Sequence, residues 1–384
     1  MKNLTTITAL FLFTCFLLVS SCDGDGGDDD PKKDTTVYDY ELTQAFKDID
    51  PVFDNQPEDN VATNEGVELG RHLFYDPRLS KNNTISCASC HKQEMAFTDG
   101  ERFSLGFNGE RTARNSMAIA NMRWHGLFFW DGRAPTLEEQ VLMPIQDPVE
   151  MGMTLEEVED KLKDIDIYPD MFESAFGSKE ITSDRVSKAL SQFVRSIMSQ
   201  GSKYDQIYGL PDSRIKNIFT DEEYLGFTLF KTHIDPDYGA GINKPGTANR
   251  GANCGDCHHT ALLTNNLFTS NGLDSITKDE GYGPISGKEK YDGTFKTPTL
   301  RNIELTAPYM HDGRFQTLEE VLDHYDQHVQ DHPNLDIQIA EAGNIYPGRL
   351  DLTNKEKNAI IAFLKTLTDY DLIENPKYSN PFDE

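Results

Sequence analysis

Ser86-Cys87-Ala88-Ser89-Cys90-His91 and Cys254-Gly255-Asp256-Cys257-His258 are the two stretches that decide the reading of this 384-residue chain. Each holds Cys-x-x-Cys-His. Two thiols at that spacing can add to the two vinyl groups of a haem, and the His that follows then lies under the iron as its proximal ligand. A redox dithiol, or one zinc ion shared by both pairs, is the structural alternative. Neither alternative accounts for a His after the second Cys, twice. The motifs therefore predict two covalently bound haem c groups, on Cys87 and Cys90 with His91, and on Cys254 and Cys257 with His258. The other two of the six cysteines are Cys15 and Cys22, so no thiol is left for a disulfide framework.

Working outward from the motifs, the chain repeats itself. Asp131-Gly132-Arg133-Ala134-Pro135-Thr136-Leu137-Glu138-Glu139 recurs as Asp312-Gly313-Arg314-Phe315-Gln316-Thr317-Leu318-Glu319-Glu320. Arg114-Asn115 is echoed by Arg301-Asn302, and Gly70-x-x-x-Phe74 by Gly226-x-x-x-Phe230, in the same order around each Cys pair. Thr-x-x-Glu capping boxes open at Thr136, Thr154, Thr220, Thr317 and Thr353. Val186, Leu190, Phe193, Val194 and Ile197 recur at helical spacing, and no comparable two-residue alternation is present. The expected fold is all-α, with two cytochrome c-like haem domains related by internal duplication, at 41–205 and 206–384. Long loops at 235–254 and 271–298 suit cofactor binding.

The N-terminus reads as an export signal over 1–21. Lys2 precedes an apolar stretch from Ala9 to Val19, then Ser20 and Ser21. Val19-Ser20-Ser21-Cys22 resembles a bacterial lipobox, in which Cys22 is acylated; a signal peptide cut at the small residues is the plainer alternative. The Gly/Asp-rich run that follows makes 22–40 a solvated tether. Covalent haem attachment by this motif requires an exported compartment, so the protein is expected to face the periplasm or to sit on the outer membrane by a lipid anchor on Cys22. With 36 Lys+Arg against 64 Asp+Glu, the net charge of −28 excludes nucleic acid as a partner.

The repeat also bears on the two irons. Carried past Glu139 and Glu320, it pairs Gln140 with Val321 and Pro144 with Tyr325. Proline has no donor atom for iron, whereas a Tyr phenolate is a haem ligand. An open first iron and a closed second one follow, unless Tyr325 is an ordinary amphipathic Tyr on a helix face.

The stretches SCASCH (86–91), FFWDGRAPTLEEQVLMPIQDPVEMG (128–152), FKTPTLRN (295–302) and LTAPYMHDGRFQTLEEVLDHY (305–325) resemble the bacterial dihaem cytochrome c peroxidase family, with its MauG branch, over about residues 65–370. The resemblance implies that Trp130 lies between the haems, and that Gln140, Pro144 and Glu150 are distal groups of a peroxidatic haem. It makes Asn115, Thr306 and Pro308 ligands of an inter-haem Ca2+. Two departures stand out. Phe107 ends the stretch Ser104-Leu105-Gly106-Phe107, where many members place a displaceable distal His. Tyr325 stands where those members have Met, as in MauG, with Met310, His311 and His324 as rival sixth ligands. The implied function is periplasmic reduction of hydrogen peroxide with electrons from a small c-type cytochrome or cupredoxin. The alternative is a MauG-like oxidase whose ferryl iron modifies a protein or a small organic substrate. A homodimer is a further expectation from the family.

Overall fold

All five expected caps form. The hydroxyl oxygens of Thr136, Thr154, Thr220, Thr317 and Thr353 accept from the amides of Glu139, Glu157, Glu223, Glu320 and Glu356 and open the helices Leu137–Gln146, Leu155–Lys163, Asp221–Lys231, Leu318–Asp323 and Asn354–Lys365. At four of them the glutamate returns a bond to the cap amide, completing the box. At Thr136 only the first half forms, and Glu138 on that turn pairs instead with the buried Arg195 at 2.6 Å. Each cap contributes about 1 kcal/mol.

The computed structural model describes residues 35–232, 251–276, 278–341 and 350–383. The export signal, Cys22, the first part of the tether and most of the 235–254 loop lie outside the described residues. Among the described residues no helix is long and apolar enough to cross a membrane.

Two hydrophobic cores organise the helices. In the first, helix Asn64–Tyr75, capped by Thr63, packs on Ser183–Ser196, capped by Thr182. Val186, Leu190, Phe193, Val194 and Ile197 are all buried there. A β-carbon on Gly70 would lie 2.0 Å from the Ala189 carbonyl oxygen, so the two backbones meet as closely as a bare Cα allows. In the second core, Asp221–Lys231 packs on Asn354–Lys365, and a β-carbon on Gly226 would lie 1.8 Å from the Ala359 oxygen. The end of the chain returns to the first core: Leu372 and Tyr378 are buried in it, Tyr378 donates from its hydroxyl to Ser196 O (2.9 Å), and Arg71 donates to Ser379 O (2.7 Å).

The fold is mostly rather than wholly α. Phe268–Thr269 pairs antiparallel with Phe295–Lys296, Phe268 opposite Lys296, and ties the two ends of the 271–298 loop together. Two-residue strands leave no alternation long enough to read in a sequence.

Conformations recur at the spacing of the Asp-Gly-Arg repeat. Asn121 (φ 61°) and Asn302 (φ 60°) are both left-handed, and they donate from their amides to Ile197 O (2.8 Å) and Leu367 O (3.1 Å), just past the long helices of their respective cores. The bridges Phe128↔Ala134 and Tyr309↔Phe315 correspond in the same way. The conformational counterpart of Asn302 is therefore Asn121, and the Arg114-Asn115 echo of Arg301-Asn302 does not mark equivalent positions. Asn115 instead bonds to the second half, its amide donating to His311 O at 2.8 Å.

Candidate functional site

His91 and His258 each follow a one-turn helix, Cys87–Cys90 and Cys254–Cys257. After each, the chain curls back through left-handed residues, Ala96 and Phe97 in one loop and Thr260 and Leu263 in the other. That curl places a carbonyl on the imidazole: Phe97 O is 2.9 Å from His91 Nδ1, and Leu263 O is 3.2 Å from His258 Nδ1. A carbonyl only accepts, so Nδ1 carries the proton and Nε2 keeps the lone pair that a metal needs. Burial lowers the pKa of both rings, His258 to about 4, so both are neutral.

Burial pushes the four thiols the other way, Cys87 and Cys254 up to about 12 and Cys90 and Cys257 to about 11. A redox dithiol needs the opposite shift. Nor do the pairs converge on one zinc: among the described residues no group of three His, Cys, Asp or Glu could hold a metal ion. Two separate Cys pairs, each with a neutral, tautomer-fixed His, fit covalent haem attachment.

Both motifs open on one cavity of about 1180 Å³, lined by Cys90 and His91 and by Cys254, Cys257 and His258. That exceeds the roughly 300–1,000 Å³ of a pocket for one small ligand. Cys87 packs toward the first core instead. Trp130, Gln140, Pro144, Glu150, Asn115, Thr306, Pro308 and Tyr325 all line the same cavity.

Glu150 sits beside the first motif, since its charge acts on both Cys87 and Cys90. Burial is the main reason its carboxyl is pushed up to about 7; the Asp147 carboxylate adds to this and Arg133 opposes it. Its backbone is held on two sides, Glu150 N donating to Asp147 Oδ1 (3.2 Å) and Glu150 O accepting from Phe107 N (3.0 Å). Pro144 falls inside the helix Leu137–Gln146 and turns no donor atom toward the cavity. Phe107 is not in the cavity wall. It is half-buried, and its ring lies where a β-carbon on Gly152 would meet it at 2.4 Å, so it braces the Glu150 segment.

Trp130 is buried, and its indole Nε1 donates to Asn115 O at 2.9 Å. Asn115 Nδ2 donates to Glu101 O (2.9 Å), which leaves the side-chain oxygen for another partner.

Tyr325 belongs to the second motif, where Cys257 and Cys254 act on its phenol. It lies in a π-helical turn, His324–His328, that continues the helix Leu318–Asp323, a distortion frequent at functional sites. Its hydroxyl accepts from Asn271 Nδ2 at 3.1 Å, and the same amide is 3.4 Å from Met310 Sδ, so both rival ligands share one neighbour. Burial raises the phenol to about 12. His311 is stacked on Phe295 at 3.6 Å, and His324 contacts the Asn271 carbonyl at 3.0 Å, so each rival His is engaged elsewhere.

A family model described as di-haem cytochrome c peroxidase matches residues 64–211. Over 316 residues the chain is 34% identical to the methylamine utilization protein MauG of Methylorubrum extorquens, with 81% of this chain and 80% of that one covered. The chain belongs to the dihaem cytochrome c peroxidase family. Haem c is accordingly its cofactor. The family's two activities are both near at hand: the cytochrome c551 peroxidase of Nitrosomonas europaea is also 34% identical, over 79% of each chain. Among solved structures, a MauG-like protein associated with microbial copper homeostasis superposes with a TM-score of 0.75 at 34% identity, over 90% of this chain and 99% of that one.

Three further residues line the site, Arg133 and Lys296 from stretches quoted above and Asn271 from a loop. Arg133 lines the cavity with its guanidinium 3.6 Å over the Phe129 ring and bonded to Asp131 (3.0 Å). Asn271 holds Tyr325, and Lys296 is buried beside Trp130. The Asp-Gly-Arg repeat could have singled out Arg133; an Asn in a long loop gives no such signal.

Proposed function

We propose that this dihaem protein reduces hydrogen peroxide to water, taking per peroxide two electrons from a small c-type cytochrome or cupredoxin and two protons from solution. The observation that carries the reading is Glu150: a part-buried carboxyl beside Cys87 and Cys90, with its pKa brought to about 7, in a cavity where Pro144 offers no ligand atom. In this reading Cys87, Cys90 and His91 hold the peroxidatic haem, and Cys254, Cys257 and His258 the electron-transfer haem, in halves 41–205 and 206–384. When bound there, the first haem would supply the redox-active iron for peroxide reduction.

The chain's own groups do the rest. Glu150, near half-ionised at neutral pH, would carry a proton from one peroxide oxygen to the other, so that the O–O bond breaks with release of one water, and the two electrons and two protons convert the remaining oxygen to a second water. Gln140 orients the peroxide by hydrogen bonding. Trp130, fixed through Asn115, is the path for the second oxidising equivalent. Tyr325 would hold the second haem's iron through its phenol oxygen. Asn115, Thr306 and Pro308 offer amide, hydroxyl and carbonyl oxygens for a Ca2+ between the haems; with no carboxylate among them, such an ion would rely on water for its remaining ligands. Export, acylation of Cys22 and a possible homodimer belong to the same proposal.

A MauG-like oxidase that modifies a protein or small organic molecule is the second reading, favoured by the buried Tyr325 and by the identity to MauG. Steady-state turnover separates them. Catalytic oxidation of a reduced c-type cytochrome by peroxide supports the peroxidase, and turnover only with an organic co-substrate supports the oxidase.

A further inference from the structure

The most unusual charge in the molecule is Lys296. It is 2% exposed, burial alone accounts for its pKa being lowered to about 7, and no carboxylate pairs with it among the described residues. Lysine is almost never fully buried unless paired. Its place in the fold shows what it does instead. Nζ donates to Gly126 O (3.1 Å) and Leu127 O (2.8 Å), and the amide of the same residue donates to Trp130 O (2.8 Å). One residue of the second half thus grips the 126–130 loop of the first at three points. That loop needs gripping, because Leu127 (φ 44°) and Phe129 (φ 67°) are both left-handed without being glycine. Lys296 is itself fixed by its strand pairing with Phe268. The nearby His125 adds no charge, since burial first and the Lys296 cation second hold its pKa far down.

We propose that Lys296 is a positioning residue for Trp130 and, in its protonated form, the internal cation that sets the potential of the electron path between the two haems. It acts through the loop and through its field, without touching the reacting atoms. A cation held in a low-dielectric wall stabilises reduced over oxidised centres nearby, so removing it lowers their midpoint potentials. The inference rests on the dihaem electron-transfer reading above.

The test is spectroelectrochemical titration of the holo-protein at about pH 6, where the Lys296 amine is mostly protonated, with haem content measured on each sample. Lys296→Met removes both charge and clamp. It should lower the midpoint potential of at least one haem and slow redistribution of a single electron between the two. Lys296→Gln keeps donors for Gly126 O and Leu127 O without the charge; it should lower the potential and spare the redistribution rate more than Met does. Lys296→Arg should stay near the wild-type potential. If Lys296→Met does not accumulate with haem, Lys296→Gln alone decides. Unshifted potentials in a fully haem-loaded Gln variant overturn the proposal. A wild-type protein without two covalent haems would instead sink the dihaem reading itself, which keeps the two failures distinct.

Discussion

Glu150→Gln removes a proton-carrying group that lines the cavity beside the first Cys pair. Its carboxyl is brought to about 7 by burial first and by Asp147 second, with Arg133 opposing. At pH 7 about half of it is carboxylate, at pH 6 about a tenth and at pH 5 about a hundredth. A step that needs the carboxylate to take a proton from peroxide therefore loses about tenfold per unit on the acid side of 7, and levels off above it. Glutamine has nearly the same volume but carries no proton, so its cost is that of a positioned acid/base, about 10²–10⁴-fold, or roughly 3–5 kcal/mol of barrier. Stopped-flow mixing of holo-protein with peroxide, followed in the haem absorption bands across that pH range, measures both the loss and the inflection. Asp147→Asn supplies an internal check. It keeps an Oδ1 for the Val149 and Glu150 amides but drops the charge, so the inflection should move to lower pH. A Glu150→Gln protein with both haems attached and an unchanged rate would refute the reasoning, as would a wild-type rate without an inflection near 7.

Tyr325→Phe should alter the low-spin absorption and raise the potential of the second haem, because a phenolate favours ferric iron; if only Met310→Leu does so, Met310 is the ligand. Gly226→Ala should destabilise the second core by about 1–3 kcal/mol or more in thermal unfolding, since the new methyl meets the Ala359 carbonyl at 1.8 Å. An unchanged midpoint would show that the helices can separate freely. Cys22→Ala should release the protein from membranes with its haem spectrum intact, and continued membrane association would defeat the lipid-anchor expectation.

Much of this was legible because the chemistry is local in sequence. Cys-x-x-Cys-His places thiols and imidazole on one helical turn, and Thr-x-x-Glu encodes each helix start within four residues. The Asp-Gly-Arg repeat carried the reading from Pro144 to Tyr325, and both line the cavity. Where the reading failed, the determinant was long-range. The loop of Phe107 is held by Asn82 and Glu150, which the sequence does not link to it. The Asn115 echo misled because two Arg-Asn dipeptides are a weaker signal than the left-handed Asn121 and Asn302, whose conformation only coordinates reveal. The Phe268–Thr269 and Phe295–Lys296 ladder and the Lys296 clamp join segments far apart in the chain, so no spacing announces them.

The most direct test of the central claim is steady-state peroxide consumption by the haem-loaded protein with a reduced small c-type cytochrome as donor. The account predicts sustained turnover in which two cytochromes are oxidised per peroxide, abolished when His91 is replaced by Gly. Oxidation that stops after one equivalent of enzyme, or proceeds equally well without His91, would contradict it.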